Sequence, residues 1–198
     1  KFKEKASLPD FYELYNKKIL ILGFGRIGKA LAKRCLGFES KVLVYDPFVN
    51  KKIIEENQCS AVNLEEGIKN ADFISLHLPI NKNTKNMINK NIFKMMKNNC
   101  IIVNAARGGI INEKDLHWAL KNNKIYGAAI DVYEQEPPKN NNPLFNLNNI
   151  IFSPHNAALT LECRKRMAVE SCENIFNYLE NKSYLKKENI VNKRYIDL

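Results

Sequence analysis

Short apolar runs alternate with polar, Asn-rich stretches along almost the whole chain. Apolar runs at residues 18–22, 41–45, 72–78, 100–104, 125–131 and 149–153, with a weaker one near Ala61-Val62, predict strands. Several of these runs lack any polar alternation, the signature of parallel strands covered on both faces. Helical periodicity fills the gaps. It is clearest from Asn112 to Asn122, where Asn112 suits an N-cap and Glu113 and Asp115 complement the first turn. Leu116, Ala119 and Leu120 then fall on one inward face. Strand and helix taking turns in this way predict an α/β fold, a doubly wound parallel sheet. The chain contains no internal repeat.

Two stretches depart from the alternation. Residues 133–148 are rich in Pro and Asn, with Glu136-Pro137-Pro138-Lys139-Asn140-Asn141-Asn142-Pro143 at their centre, and read as an irregular loop. From Thr160 to about Asn181 the pattern is one long amphipathic helix, with Ala168, Cys172, Ile175, Phe176 and Leu179 on its apolar face. Such a helix either packs on this domain or reaches toward a second one.

The first strand pattern runs directly into Gly23-Phe24-Gly25-Arg26-Ile27-Gly28, and Asp46 follows at the end of the second strand pattern. Each part of this Gly-x-Gly-x-x-Gly turn has a mechanical reason. Gly23 permits the tight turn, Gly25 lets the backbone approach a pyrophosphate, and Gly28 lets the new helix lie close against the strand. The N-terminal N–H groups of that helix face the phosphates. Asp46 stands where a carboxylate accepts hydrogen bonds from an adenosine ribose, which predicts NAD as the cofactor.

The 198 residues fit one domain, or one domain and a tail, and 45% hydrophobic residues suffice for a sizeable core. No apolar run is long enough to span a bilayer, and Lys1-Phe2-Lys3-Glu4-Lys5 offers no apolar leader, so a soluble cytoplasmic protein without membrane partners is expected. The formal charge of +10 would suit nucleic acid if its cations clustered. They are instead scattered among asparagines, as in Lys121-Asn122-Asn123-Lys124, so no nucleic-acid partner is expected. A positive surface attracting anionic cofactors and substrates is the milder consequence. Five cysteines, odd in number and without a Cys-x-x-Cys pair, read as reduced, buried thiols. The three histidines lie far apart, so no metal site is expected.

Three polar residues stand just beyond strand patterns, where open α/β sheets place their ligands. Arg107 follows Ile101-Ile102-Val103-Asn104-Ala105-Ala106, Glu136 lies beyond Asp131, and His155 follows Ile150-Ile151-Phe152-Ser153-Pro154. Their chemistry fits reversible hydride transfer to a 2-oxo acid. A protonated His155 would give the proton that the reduced carbonyl needs, and neutral imidazole would take it back. Glu136 on the other ring nitrogen would orient the imidazole and favour its charged form. Arg107 offers a fork of donors for a carboxylate.

With these residues in view, the sequence resembles the D-isomer-specific 2-hydroxyacid dehydrogenases, a family that includes D-3-phosphoglycerate dehydrogenase, glyoxylate and hydroxypyruvate reductases, formate dehydrogenase and the CtBP corepressors. The resemblance runs from about Phe11 to Asn181. It rests on the glycine turn, on His77-Leu78-Pro79 with Thr84, and on Val103-Asn104-Ala105-Ala106-Arg107-Gly108-Gly109. It continues through Gly127-Ala128-Ala129-Ile130-Asp131-Val132-Tyr133-Glu134-Gln135-Glu136-Pro137 and Ser153-Pro154-His155-Asn156-Ala157-Ala158.

The resemblance implies the same catalytic roles for Arg107, Glu136 and His155. It further implies that Arg26 and Ile27 lie by the pyrophosphate, that Leu78, Ala105 and Ala106 line the cofactor cleft, and that Asp131 contacts the nicotinamide carboxamide. His77 becomes part of the strand-end wall, and His117 receives no function. A homodimer through the coenzyme domain is implied as well. The chain departs from many members in having Ala157-Ala158 where they have Gly-Gly, and only a short lead-in precedes the first strand. The expected organisation is therefore a dinucleotide-binding domain over residues 8–159, then a C-terminal helix and tail over 160–198. Most of the substrate domain would lie outside this chain, and no C-terminal regulatory domain is expected. Among substrates the wording of Tyr45-Asp46-Pro47 and Ala106-Arg107-Gly108-Gly109-Ile110-Ile111 leans toward 3-phosphoglycerate. Glyoxylate or hydroxypyruvate reduction and a CtBP-like dinucleotide-sensing role are the alternatives.

Overall fold

A computed structural model describes residues 12–180. Seven strands form one parallel sheet: β1 (Lys18–Leu22), β2 (Lys41–Tyr45), β3 (Ser60–Ala61), β4 (Phe73–Leu76), β5 (Ile101–Asn104), β6 (Gly127–Ile130) and β7 (Ile150–Phe152). Helices α1 (Arg26–Gly37), α2 (Lys51–Glu56), α3 (Leu64–Asn70), α4 (Lys90–Met95) and α5 (Glu113–Lys121) fill the crossovers, as the alternating pattern predicts. A 3-10 turn, Pro143–Asn146, lies in the Pro- and Asn-rich loop. The sheet order is β3-β2-β1-β4-β5-β6-β7. Strand order therefore reverses between β1 and β4, and that switch point is where a doubly wound sheet opens a crevice at its carboxyl edge.

Side chains of one strand alternate between two cores. Leu20 and Leu22 of β1 join a cluster with Ile74, Leu76, Phe93, Ile102, Leu116 and Leu120, beneath α3, α4 and α5. Ile19 and Ile21 join the opposite cluster with Phe24, Ala32, Val42, Val44 and Ile54, beneath α1 and α2. Burial on both faces explains why β1 reads as an unbroken apolar run. Asn112 caps α5 by accepting the Asp115 N–H at 3.0 Å, and Leu116, Ala119 and Leu120 of that helix are buried, as expected.

Several strands end earlier than their apolar runs. The 72–78 run yields only Phe73–Leu76, and the 125–131 run only Gly127–Ile130. At both places the chain leaves the ladder to build the carboxyl edge. Pro79 and Pro154, which lack an N–H, follow soon after β4 and β7. The cysteines follow expectation in part. Cys35, Cys59 and Cys100 are buried, whereas Cys163 is half-buried and Cys172 exposed, because the helix that carries them buries none of its residues.

The chain divides into two compact units between His155 and Asn156. The second contains α6 (Leu161–Leu179), whose N-terminus is capped by Thr160 Oγ1 accepting the Cys163 N–H at 3.2 Å. Residues 8–11 of the expected first domain and 181–198 of the expected tail lie outside the described residues. Among the described residues no helix is long and apolar enough to cross a membrane, and no group of His, Cys, Asp and Glu could hold a metal ion.

Candidate active site

Strand register assembles the site. Leu22 pairs with Tyr45 and Leu76, Leu76 with Asn104, Asn104 with Ile130, and Ile130 with Phe152. The strands thus end in one row, and the residues that follow each end meet along the carboxyl edge. They are Gly23, Asp46, His77-Leu78, Ala105-Ala106-Arg107, Asp131 and Ser153-Pro154-His155.

The three glycines of the turn each have their own geometry. Gly23 adopts φ +98°, and a Cβ there would sit 2.7 Å from the His77 carbonyl oxygen. A Cβ on Gly28 would come 2.1 Å from the Gly23 oxygen, so only glycine lets α1 approach β1 this closely. Gly25, the N-cap of α1, has nothing within 4 Å of its Cβ position, and the first turn of α1 contains no acidic residue. An open cradle at an uncompensated helix N-terminus fits a pyrophosphate. Arg26 and Ile27 are exposed beside it.

Asp46 follows β2, the strand beside β1, and so lies next to that cradle. Its Oδ2 accepts the Phe24 N–H at 2.8 Å, and its Oδ1 accepts the Phe48 N–H at 2.9 Å. Each oxygen keeps a second lone pair that suits a ribose hydroxyl. Leu78 is half-buried at the end of β4. His77, beside it, shares a 2.9 Å hydrogen bond between Nε2 and Ser75 Oγ. Burial pushes its pKa below the ordinary histidine value.

The loop after β5 hangs on Asn104, a residue whose role the sequence did not reveal. Asn104 is buried, its Oδ1 accepts the Ala106 N–H at 3.1 Å, and its Nδ2 donates to the Arg107 carbonyl at 3.0 Å. An apolar run ending in Asn was the available signal, since a buried amide must find partners for both ends. Ala105 is exposed and Ala106 buried. Arg107 is exposed, and its Nη1 donates to the Ala106 carbonyl at 2.6 Å.

Glu136 and His155 meet. Glu136 Oε2 lies 2.7 Å from His155 Nδ1, while Oε1 accepts the Tyr133 N–H at 3.0 Å. The hydrogen bond to His155, aided by the Tyr133 N–H, holds the Glu136 carboxyl below the usual carboxylate range. His155 sits at φ +52°, a left-handed conformation uncommon for a residue with a Cβ, and its N–H is held by the Asp131 carbonyl at 2.8 Å. Asp131 is buried and accepts Ser153 Oγ at 2.6 Å.

Tyr133 links the three loops. Its hydroxyl donates to the Ser153 carbonyl at 3.0 Å, and its N–H holds Glu136. Its carbonyl lies so near Gly108 that a Cβ there would fall 1.7 Å away. Arg107 has no direct bond to the Glu136–His155 pair; its loop reaches them through this Gly108–Tyr133 contact.

A doubly wound sheet with a glycine cradle, an acid just past the neighbouring strand and a carboxylate-paired histidine along one edge has the form of a nicotinamide dinucleotide-binding domain. Comparison with known proteins gives the family. Residues 2–157 match the family described as D-isomer specific 2-hydroxyacid dehydrogenase, NAD binding domain. The D-3-phosphoglycerate dehydrogenase of Methanocaldococcus jannaschii is 42% identical over 181 residues, covering 91% of this chain and 34% of that protein. The hydroxypyruvate reductase of Thermotoga maritima is 40% identical over 169 residues, covering 84% of this chain and 54% of that protein. Among solved structures, a D-lactate dehydrogenase with NAD+ from Lactobacillus jensenii superposes with a TM-score of 0.82 at 32% identity, covering 91% of this chain and 58% of that one. The chain belongs to the D-isomer-specific 2-hydroxyacid dehydrogenases and contains their NAD-binding domain. It spans between a third and about half the length of the two sequence relatives.

Proposed function

We propose that this chain is the coenzyme-binding part of an NAD-dependent dehydrogenase that interconverts a D-2-hydroxy acid and its 2-oxo acid. The observation that carries this reading is the 2.7 Å contact between Glu136 Oε2 and His155 Nδ1 at the edge of an NAD-binding sheet. NAD, when bound, supplies the hydride chemistry. Gly23, Gly25 and Gly28 give its pyrophosphate room, with Arg26 and Ile27 beside it and Asp46 on the adenosine ribose. Leu78, Ala105 and Ala106 line the cleft, and Asp131 faces the carboxamide. With Nδ1 committed to Glu136, His155 is left with Nε2 to deliver or remove the proton. Arg107, turning its guanidinium from the Ala106 carbonyl, would clamp the substrate carboxylate.

Residues 8–159 act as the dinucleotide-binding domain, and residues 160–198 as the helix and tail returning to a substrate domain. The physiological assembly is a cytoplasmic homodimer joined through the coenzyme domain. For the substrate we favour 3-phosphoglycerate, because relatives named for it are 42% identical to this chain. Glyoxylate and hydroxypyruvate follow, since reductases named for them are 38–41% identical. Initial rates of the full-length protein with NADH and glyoxylate, hydroxypyruvate or 3-phosphohydroxypyruvate test the proposal. Oxidation of NADH with at least one supports it, and the best kcat/KM names the substrate. Tight NADH binding without turnover of any 2-oxo acid would instead support a dinucleotide-sensing role.

A further inference from the structure

The loop that carries Glu136 has no regular structure of its own between β6 and the 3-10 turn, yet Glu136 must hold His155 in one orientation. Three hydrogen bonds with Glu113 hold this loop, one of them at its main chain. Glu113 Oε1, on the first turn of α5, accepts the Glu134 N–H at 2.6 Å. Glu134 Oε1 returns the contact by accepting the Glu113 N–H at 2.8 Å. The other oxygen of Glu113 accepts Asn142 Nδ2 at 2.9 Å, and Asn142 Oδ1 in turn caps the 3-10 turn through the Leu144 N–H at 3.0 Å.

A single carboxylate thus grips the irregular loop at both ends, at Glu134 and at Asn142. The helix beneath it is well anchored, because Leu116, Ala119 and Leu120 are buried and Asn112 caps its N-terminus. The grip lies next to the reacting pair. The Glu134 N–H is held by Glu113, and the preceding amide, that of Tyr133, is held by Glu136 itself. Slack at residue 134 would pass directly to the side chain two residues on. Neither carboxylate touches His155 in the contacts that define the site, so neither is a catalytic residue.

We propose that Glu113, with Glu134 as its reciprocal partner, is a positioning residue that aligns Glu136 on His155. The inference rests on the catalytic reading of Glu136 and His155 given above. Charge-assisted hydrogen bonds to backbone N–H groups are strong enough for this task, and no covalent or regular secondary-structure restraint replaces them.

The test is made in the full-length protein with NADH and the best of the three 2-oxo acids. Glu113→Ala is expected to lower kcat roughly tenfold, about one hydrogen bond's worth of alignment, while leaving the KM for NADH unchanged. Glu113→Gln keeps an oxygen for the Glu134 N–H and is expected to restore most of the loss. The decisive variant combines Glu113→Ala with Glu136→Gln. If Glu113 acts through Glu136, the double variant is no slower than Glu136→Gln alone. Amide hydrogen exchange at Tyr133 gives a readout independent of turnover, and should quicken in Glu113→Ala. Should that variant not fold, Glu134→Ala removes the reciprocal half, with the same direction expected. Multiplying losses in the double variant, or a wild-type kcat for Glu113→Ala beside a slow Glu136→Gln, would overturn the inference and leave the catalytic reading standing. An unimpaired Glu136→Gln enzyme would remove both.

Discussion

Asp46 Oδ2 accepts the Phe24 N–H at 2.8 Å, so the acid that ends β2 also braces the glycine turn that ends β1. Its carboxylate would repel a 2′-phosphate and accept a free 2′-hydroxyl, and NADH should bind more tightly than NADPH. The brace adds a second consequence. Asp46→Ala removes the repulsion but also leaves the Phe24 N–H without its carboxylate partner, which costs about 1–3 kcal/mol. NADH affinity should fall roughly tenfold or more, while NADPH affinity should not rise to the level that NADH had. Calorimetric titration of both cofactors checks this, and tight NADPH binding by the variant would show that the brace is immaterial.

Much of this arrangement was legible in the residues. Strands buried on both faces leave unbroken apolar runs, and the glycine turn has a fixed spacing from its acid. Arg107, Glu136 and His155 each stood just past such a run. What remained hidden were bonds between a side chain and the backbone of a distant loop. Asn104 bracketing Ala106 and Arg107, Tyr133 reaching the Ser153 carbonyl, and Glu113 gripping Glu134 have no periodicity and no fixed spacing. They depend on which strand ends come together, and the sheet order sets that. Glu113 illustrates the point. On its own helix it is simply an acid that suits the first turn, and only β6 lying beside β5 brings Glu134 to it.

Replacing His155 by Asn in the full-length enzyme should leave NADH affinity nearly unchanged and lower turnover by about two orders of magnitude or more, the usual loss for a positioned acid–base group. Glu136→Gln should cost less and act on the pH profile. Because its bond to His155 holds Glu136 below the usual carboxylate range, the carboxylate is ionised throughout the neutral region and its charge is lost only on strong acidification. Glutamine removes that charge at every pH. The acid-side change in rate that follows protonation of Glu136 should then vanish from the pH profile of 2-oxo acid reduction. An unmoved profile would show that the two residues do not work as a pair.

Asp72 offers a stability test at the far edge of the sheet. Burial alone would raise its pKa, but the Lys97 ammonium at 2.7 Å and the Lys18 N–H at 2.8 Å outweigh burial and hold it below the ordinary value. A carboxyl with a depressed folded-state pKa adds stability that is fully present above its unfolded value, near 4. That stability is lost as pH falls through the folded value. Asp72→Asn should therefore lower the midpoint of urea unfolding at pH 7, and the gap from wild type should close on acidification below about pH 4. NADH affinity should not change, since the site lies at the opposite strand ends. A gap that stayed constant with pH would mean that the charge of Asp72 is not what stabilises the fold.

The 198-residue chain alone should bind NAD(H) but turn over 2-oxo acids very slowly. The fingerprint glycines, Asp46 and Asp131 are all at the carboxyl edge, so the cofactor half of the site can form without help. Arg107 and His155 are exposed there. The longer relatives have chain beyond what this one spans, and such a segment would close over both residues, exclude water and hold the reacting carbon. Positioning of that kind is worth ~7–11 kcal/mol of barrier. The measurement is NADH binding by fluorescence, followed by NADH oxidation with glyoxylate, hydroxypyruvate and 3-phosphohydroxypyruvate. Binding without appreciable oxidation is the expected result. Turnover near the ~10 s⁻¹ typical of enzymes would mean that this sheet edge is by itself a working active site and that the two-domain account is wrong.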